Sequence, residues 1–171
     1  MLGIFTAGLL LGGALSASAL WLASGLVAPL PGSGRAFAAV AVALTGVARD
    51  AGLVRLRLPQ NARQVPQDVL QRDLVRGALQ FGFELGTGVR TYVSASLPYV
   101  VAVGVLLAND AGAALLAGVG FALGRAATPA LRLASGAGEE WDDRLLDRLP
   151  LLAIGGGTVV AGALTALALH G

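Results

Sequence analysis

Cysteine and lysine are absent from this 171-residue chain, histidine occurs once, and aromatic residues make up only 5% of it. Without cysteine the chain carries no disulfide, no thiolate metal site and no thiol redox chemistry of its own. The single histidine, His170, stands beside Gly171 and reads as a terminal residue rather than a ligand or base. Charge is also scarce: Asp, Glu, Lys and Arg together are 13% of the residues, against roughly 25% in a soluble domain. All 12 basic residues are arginines. They are scattered through connecting segments without a basic face or interleaved aromatics, so a formal charge of +2 does not indicate nucleic-acid binding.

What fills the chain instead is apolar: 56% hydrophobic residues and a mean hydropathy of +0.75. The composition predicts an all-α, polytopic transmembrane helical bundle forming a single integral membrane domain, with about five spans at roughly 3–30, 35–53, 77–108, 111–133 and 151–169. Polar loops at 54–76 and 135–150 separate them. The first run carries no charge and lacks the basic start of a secretory signal, so an uncleaved helix is the better reading, although Ser16-Ala-Ser-Ala19 resembles a cleavage site. Pro29, Pro31, Gly32, Ser33 and Gly34 mark a tight connection. Glu139, Glu140, Trp141, Asp142 and Asp143 open a short amphipathic surface helix; their spacing matches no calcium loop, and acidic residues suit a helix start. Gly155-Gly-Gly157 reads as helix packing.

Arginine placement gives an orientation. Arg49, Arg55, Arg57, Arg63, Arg72 and Arg76 flank the second-to-third connection and Arg132, Arg144 and Arg148 the fourth-to-fifth, whereas the first-to-second has only Arg35 and the third-to-fourth none. The positive-inside rule then sets the protein in a bacterial-type inner membrane with its N-terminus cytoplasmic and its C-terminus outside.

The third segment is the one most at odds with lipid. From Arg76 to Ala108 it would measure on the order of 50 Å as a straight helix, beyond a hydrocarbon core of about 30 Å, so it must tilt, begin in the interface or break. Gly82-Phe-Glu-Leu-Gly-Thr-Gly-Val-Arg90 supplies two charges and three glycines, and Thr91, Tyr92, Ser94, Ser96 and Pro98 follow. A charge at the centre of a lipid-facing helix costs roughly 2.5 to 3.5 kcal/mol or more and usually faces a bundle interior. Glu84, Arg90 and Arg125 are therefore the candidate polar core, with Thr87, Tyr92, Ser94 and Ser96 lining it and Pro98 freeing a carbonyl one turn earlier. In regular helix Glu84 and Arg90 stand about 240° apart around the axis, so their pairing needs the backbone to unwind at Gly86 to Gly88. The bland alternative places the span at about 89–107. Glu84 and Arg90 then sit at the interface and the hydroxyls bond back to their own helix.

Glycines four apart recur as Gly8…Gly12, Gly82-Phe-Glu-Leu-Gly86 and Gly120-Phe-Ala-Leu-Gly124, flat faces for close helix packing. Gly82, Gly86, Gly88, Gly120 and Gly124 are the expected packing residues. The order of spans also suggests an inverted helical-hairpin repeat, the first two spans echoing the fourth and fifth around a broken third helix.

On these motifs the chain resembles the transmembrane family of cytochrome c biogenesis and DsbD-type thiol–disulfide carriers, within the lysine-exporter superfamily. The resemblance implies two inverted three-helix units, with Gly82 to Pro98 as the broken opening helix of the second, Gly118 to Pro129 as the helix after it, and the opening helix of the first missing. Such carriers use paired membrane cysteines. This chain has none, and Pro98-Tyr99 stands where a Pro-Cys pair is expected, so no redox role carries over.

An intramembrane enzyme is not expected, because no histidine neighbours Ser94 or Ser96 and Asp50 and Asp110 fall at span ends. No cofactor, metal or nucleotide motif is present. The residues favour a transporter-like or permease-like protein taking a small solute or ion, completed in the bilayer by a homodimer or a larger membrane partner. The alternative is a non-transporting subunit that scaffolds or assembles a larger membrane complex.

Overall fold

Six α-helices and no strand occur among the described residues of the computed structural model, which are 1–58, 74–88, 95–136 and 138–170, with side chains described as far as Ala166. The helices are α1 (Leu2–Ser24), α2 (Gly32–Asp50), α3 (Leu74–Thr87), α4 (Leu97–Ala108), α5 (Ala111–Ser135) and α6 (Glu139–His170). Three of them, α1, α5 and α6, are long and apolar enough to cross a membrane.

That is fewer than the five expected, and the shortfall has a physical cause in each case. Helix α2 has 19 residues, but Arg35 near its start and Arg49-Asp50 at its end confine its apolar part to residues 36–48. The third apolar segment is divided between α3, of 14 residues, and α4, of 12. At about 1.5 Å per residue these reach only about 21 and 18 Å, each short of a 30 Å core. The expected surface helix at 135–150 and the span after it are one helix of 32 residues with Pro150 inside it, so the acidic first turn and the apolar stretch share one axis.

The side chains are distributed inside out relative to a soluble bundle. Buried positions are mostly small, namely Ala17, Ala39, Ala43, Ala114, Ala122, Ala126 and Ala161, with Leu9 the one large fully buried apolar side chain among the described residues. Large apolar residues such as Leu11, Leu22, Leu116, Leu131, Leu151 and Val159 are exposed. In water that arrangement leaves little transfer energy to hold the fold. In lipid it is the usual one, because close packing of small residues, rather than removal of apolar surface from solvent, joins the helices.

The chain forms two compact units. The first contains α1 as far as Ala19, α3, and α5 from Ala114. Its seam is the crossing of α1 and α3. A Cβ added at Gly8 would meet the Leu79 carbonyl, one at Gly12 the Phe83 carbonyl, one at Gly82 the Phe5 carbonyl and one at Gly86 the Leu9 carbonyl. Both helices therefore need their glycine pairs to lie backbone against backbone. On the other side of α1, Gly13 faces Gly118 of α5, where an added Cβ would come within 2.6 Å of the Gly118 oxygen. Leu9, Ala122 and Ala126 form the core of this unit, covered by Phe5, Leu10 and Leu85.

The second unit contains the end of α1 from Leu20, then α2, α4, the start of α5 and α6 from Asp143. Here α2 and α4 run antiparallel, since the start of α2 meets the end of α4 and the end of α2 meets its start. Ala43, Val100 and Ala161 form the core. Gly46 lies under Val100 and Ser96, Gly156 under Leu97 and Gly157 under Val47.

Candidate functional site

A helix that begins inside an apolar protein brings unpaired backbone N–H groups with it, and the start of α4 shows how this chain deals with them. Pro98 occupies the first turn of α4, where its missing N–H removes one such donor and its fixed φ suits the helix. The carbonyl one turn earlier, which the sequence suggests this proline frees, lies outside the described residues. Tyr99 and Val100 both donate to the Ser96 carbonyl, at 3.0 and 3.1 Å. The Ser96 N–H donates to Asp50 Oδ2 at 2.8 Å and the Ser96 hydroxyl to Asp50 Oδ1 at 2.8 Å.

Asp50, the last residue of α2, is thus the acceptor on which the start of α4 rests, and its side chain is only 5% exposed. Its negative charge is met twice. The N-terminus of α4 offers a positive dipole end, and Arg49 Nη1 donates to Asp50 Oδ1 at 2.8 Å and lies 3.5 Å from the Ser96 hydroxyl. Arg49 Nε also donates to the Leu56 carbonyl at 3.3 Å, tying down the segment after α2. At the opposite end of α4 the signs reverse: Arg35 Nη1 donates to the Leu107 carbonyl at 3.3 Å, a cation at a helix C-terminus. Asn109 closes that end in the left-handed conformation, φ 52°, and hydrogen-bonds with the fully buried Ser24 at 2.8 Å.

The Arg49–Asp50–Ser96 junction opens onto a cavity of about 740 Å³ lined by Arg49, Asp50, Arg55, Arg57, Leu149 and Pro150 among others. One wall is basic and the other apolar. Arg55 and Arg57 are exposed and make no ion pair among the described residues. A smaller cavity of about 230 Å³ lies at the other end of α4, against Arg35, Leu107 and Leu164.

The residues expected to form the polar core are distributed differently. Arg90, Tyr92 and Ser94 lie outside the described residues. In the first unit, Glu84 accepts from Gln80 at 3.0 Å, and Thr87 donates to the Glu84 carbonyl at 2.8 Å. The Thr87 carbonyl, at the end of α3, accepts from Ser16 of α1 at 3.0 Å. Arg125 of α5 lies over the Phe121 ring, 5.1 Å from its centroid, a cation–π contact. Phe121 also approaches Gly88, whose φ of +70° ends α3, so one ring links Arg125 to the end of α3. Ser96 and Pro98 belong to the second unit, with Asp50.

Of the expected packing glycines, Gly82 and Gly86 are buried in the α1–α3 seam, whereas Gly120 and Gly124 face open space. The packing glycine of α5 is Gly118, which shares a face with Ala114 and Ala122 at four-residue spacing. Among the described residues no group of acidic or histidine side chains is placed to hold a metal ion; Asp142 of the acidic turn instead takes a bidentate ion pair from Arg132, at 2.8 and 3.0 Å from Arg132 Nε.

In the sequence Asp50 stands only as a residue at a span end, with no role assigned to it. The signal that identifies its role is a pairing at long range: a helix start at Ser96-Leu-Pro98 that needs an acceptor, and an acidic residue that ends α2.

No known protein family matches the chain, and no solved structure matches it. Over 80 residues it is 38% identical to the methylamine utilization protein MauF of Methylorubrum extorquens. That stretch covers 46% of this chain and 28% of MauF, so the chain spans less than a third of that protein's length.

Proposed function

We propose that the chain is a multi-pass membrane protein that acts as an accessory subunit, supporting the assembly or working of a larger membrane system. The observation that carries this reading is the occupied start of α4. Transporters built on broken helices point such helix starts at an anionic substrate; here the position is filled by the chain's own Asp50, with Ser96 donating two hydrogen bonds to it. The likeness to MauF, named for methylamine utilization, makes the use of a small amine the first setting in which to look for that system.

In this proposal α2, and α3 with α4, supply two further crossings beside α1, α5 and α6, giving five spans with the N-terminus cytoplasmic. The inverted-repeat ancestry shared with DsbD-type carriers belongs to the proposal too, without thiol chemistry, since there is no cysteine. A permease-like role is the second reading. It is favoured by the two short helices and the adjoining basic cavity, with Glu84, Arg90 and Arg125 as its polar core.

Because the chain has no native thiol, Ser96→Cys introduces a unique one at a position 4% exposed. In oriented vesicles, protection from a membrane-impermeant maleimide added from either side, in a protein that elutes as a folded species, supports the accessory reading. Labelling from both sides shows a water path past the start of α4 and turns the assignment to a permease, whereas labelling from the Arg55 side alone shows only the cavity beside Asp50. Extraction of the protein by alkaline carbonate would remove the membrane placement on which both depend.

A further inference from the structure

The cavity beside Asp50 is better provided with positive charge than its own structure uses. Three arginines line it, Arg49, Arg55 and Arg57, against one carboxylate, Asp50. Arg49 is committed to Asp50 and to the Leu56 carbonyl. Arg55 and Arg57 stand on the segment that Arg49 holds in place, and neither has an acidic partner among the described residues. Across the cavity Leu149, Pro150 and Ala153 of α6 form an apolar wall. Leu149 and Pro150 sit where α6 changes character, between the charged run Glu139–Arg148 and the apolar stretch that begins at Leu151, and Ala153 lies just inside that stretch. In a bilayer this change marks the level of the headgroups.

We infer that this cavity binds a phosphate-bearing anion at the membrane interface, with Arg55 and Arg57 as its ligands and the α6 wall accommodating an apolar portion. The inference goes beyond the proposed function but rests on its membrane placement. Guanidinium groups suit phosphate because their planar donors match its oxygens in pairs. Asp50 does not oppose such a ligand strongly, since its charge is already met by Arg49 and the start of α4. Two sources carry this chemistry, an anionic phospholipid and a soluble organic phosphate. The cavity volume, about 740 Å³, admits a headgroup of either kind.

Native mass spectrometry of the purified full chain tests it. The protein, in neutral detergent, is given equal amounts of phosphatidylglycerol and phosphatidylcholine, with and without glycerol 3-phosphate. The expected result is preferential retention of phosphatidylglycerol that falls about twenty-five-fold in the R55Q/R57Q variant, each surface arginine contributing about a factor of five toward anionic lipid. A control variant, R132Q/R144Q, loses the same formal charge elsewhere and should retain the preference. If glycerol 3-phosphate displaces the lipid at comparable concentration, the headgroup alone is recognised and a soluble phosphate is the ligand. If it does not, the lipid is. Equal retention of both lipids, or equal loss in the two variants, overturns the inference. A chain that withstands alkaline carbonate yet shows no preference loses this site while keeping its membrane placement.

Discussion

Where α1 crosses α3, Gly8 and Gly12 on one helix meet Gly82 and Gly86 on the other, and the contact consists of backbone on backbone. Where α2 runs beside α4, Asp50 takes the start of the shorter helix and Arg35 its end. The first unit is joined by leaving side chains out and the second by placing charges at helix termini. Both answer the same difficulty. In lipid there is little gain from burying apolar surface, so helices associate through close van der Waals contact or through polar groups that would otherwise lack partners. The choice follows helix length. Helix α1 has 23 residues and can carry a long smooth stripe. Helix α4 has 12, too few to reach both faces of the proposed apolar layer, so at least one of its ends must have its amides or carbonyls answered by the protein.

The largest effect is therefore expected in the glycine seam. Gly82→Leu drives a side chain into the Phe5 carbonyl and the Leu9 amide, and backbone does not yield as a flexible side chain does. A loss of roughly 3 kcal/mol or more is expected, at or above the upper range for overpacking, read as the shift in reversible unfolding by a denaturing detergent. Gly124→Leu is the comparison. Nothing lies within 4 Å of a Cβ there, and the change should stay within about 0.5 kcal/mol, as at an open surface position. Similar losses at both sites would mean that Gly124 is covered by a partner, which would itself support the subunit reading.

These two sites also show what was legible in sequence. Glycines four apart are visible in all three motifs, but the spacing says only that a flat face exists. Whether it is used depends on which way it turns, and Gly118 with Ala122 offers the same spacing two residues out of phase with Gly120 and Gly124. Helical class and the three long apolar helices were readable because hydropathy sums over many residues. The division of the third segment was foreshadowed by its excess length and its glycines. The Asp50–Ser96 junction was not readable in the same way, because it joins residues 46 positions apart and each looks ordinary in its own window.

A smaller effect is expected at that junction. Asp50→Ala leaves the Ser96 N–H, its hydroxyl and the Arg49 guanidinium without their shared acceptor. Breaking a buried ion pair costs about 3 to 5 kcal/mol, but the Arg49 side chain is 21% exposed and recovers part of that from water. About 2 to 3 kcal/mol remains, by the same unfolding assay. Asp50→Asn keeps one of the two acceptor oxygens used by Ser96, turns the other into an amide donor and removes the charge, so its cost should be about half as large. If Asn proves as damaging as Ala, the one acceptor that Asn retains contributes little, and the junction depends on the full carboxylate facing Ser96 and Arg49.

The smallest effect should come from Pro98, and that smallness discriminates between two structures. In the interior of a continuous helix, a proline costs about 3 kcal/mol through a lost hydrogen bond and a clash with the carbonyl four residues back. Replacing it there by alanine should stabilise the helix appreciably. In the first turn of α4 no such bond exists to be regained, and the residue that proline follows, Leu97, begins the helix. The alanine N–H would add one more donor at a helix start whose nearest acceptor, Asp50, is already engaged by Ser96 and Arg49. Pro98→Ala should accordingly change stability by less than about 0.5 kcal/mol, with the sign set by whether water reaches that donor. A gain of more than about 1 kcal/mol would show that the chain between α3 and α4 can close into a single helix once the proline is gone. In that case the charges of α2 would be holding apart a span that the rest of the sequence prefers to join.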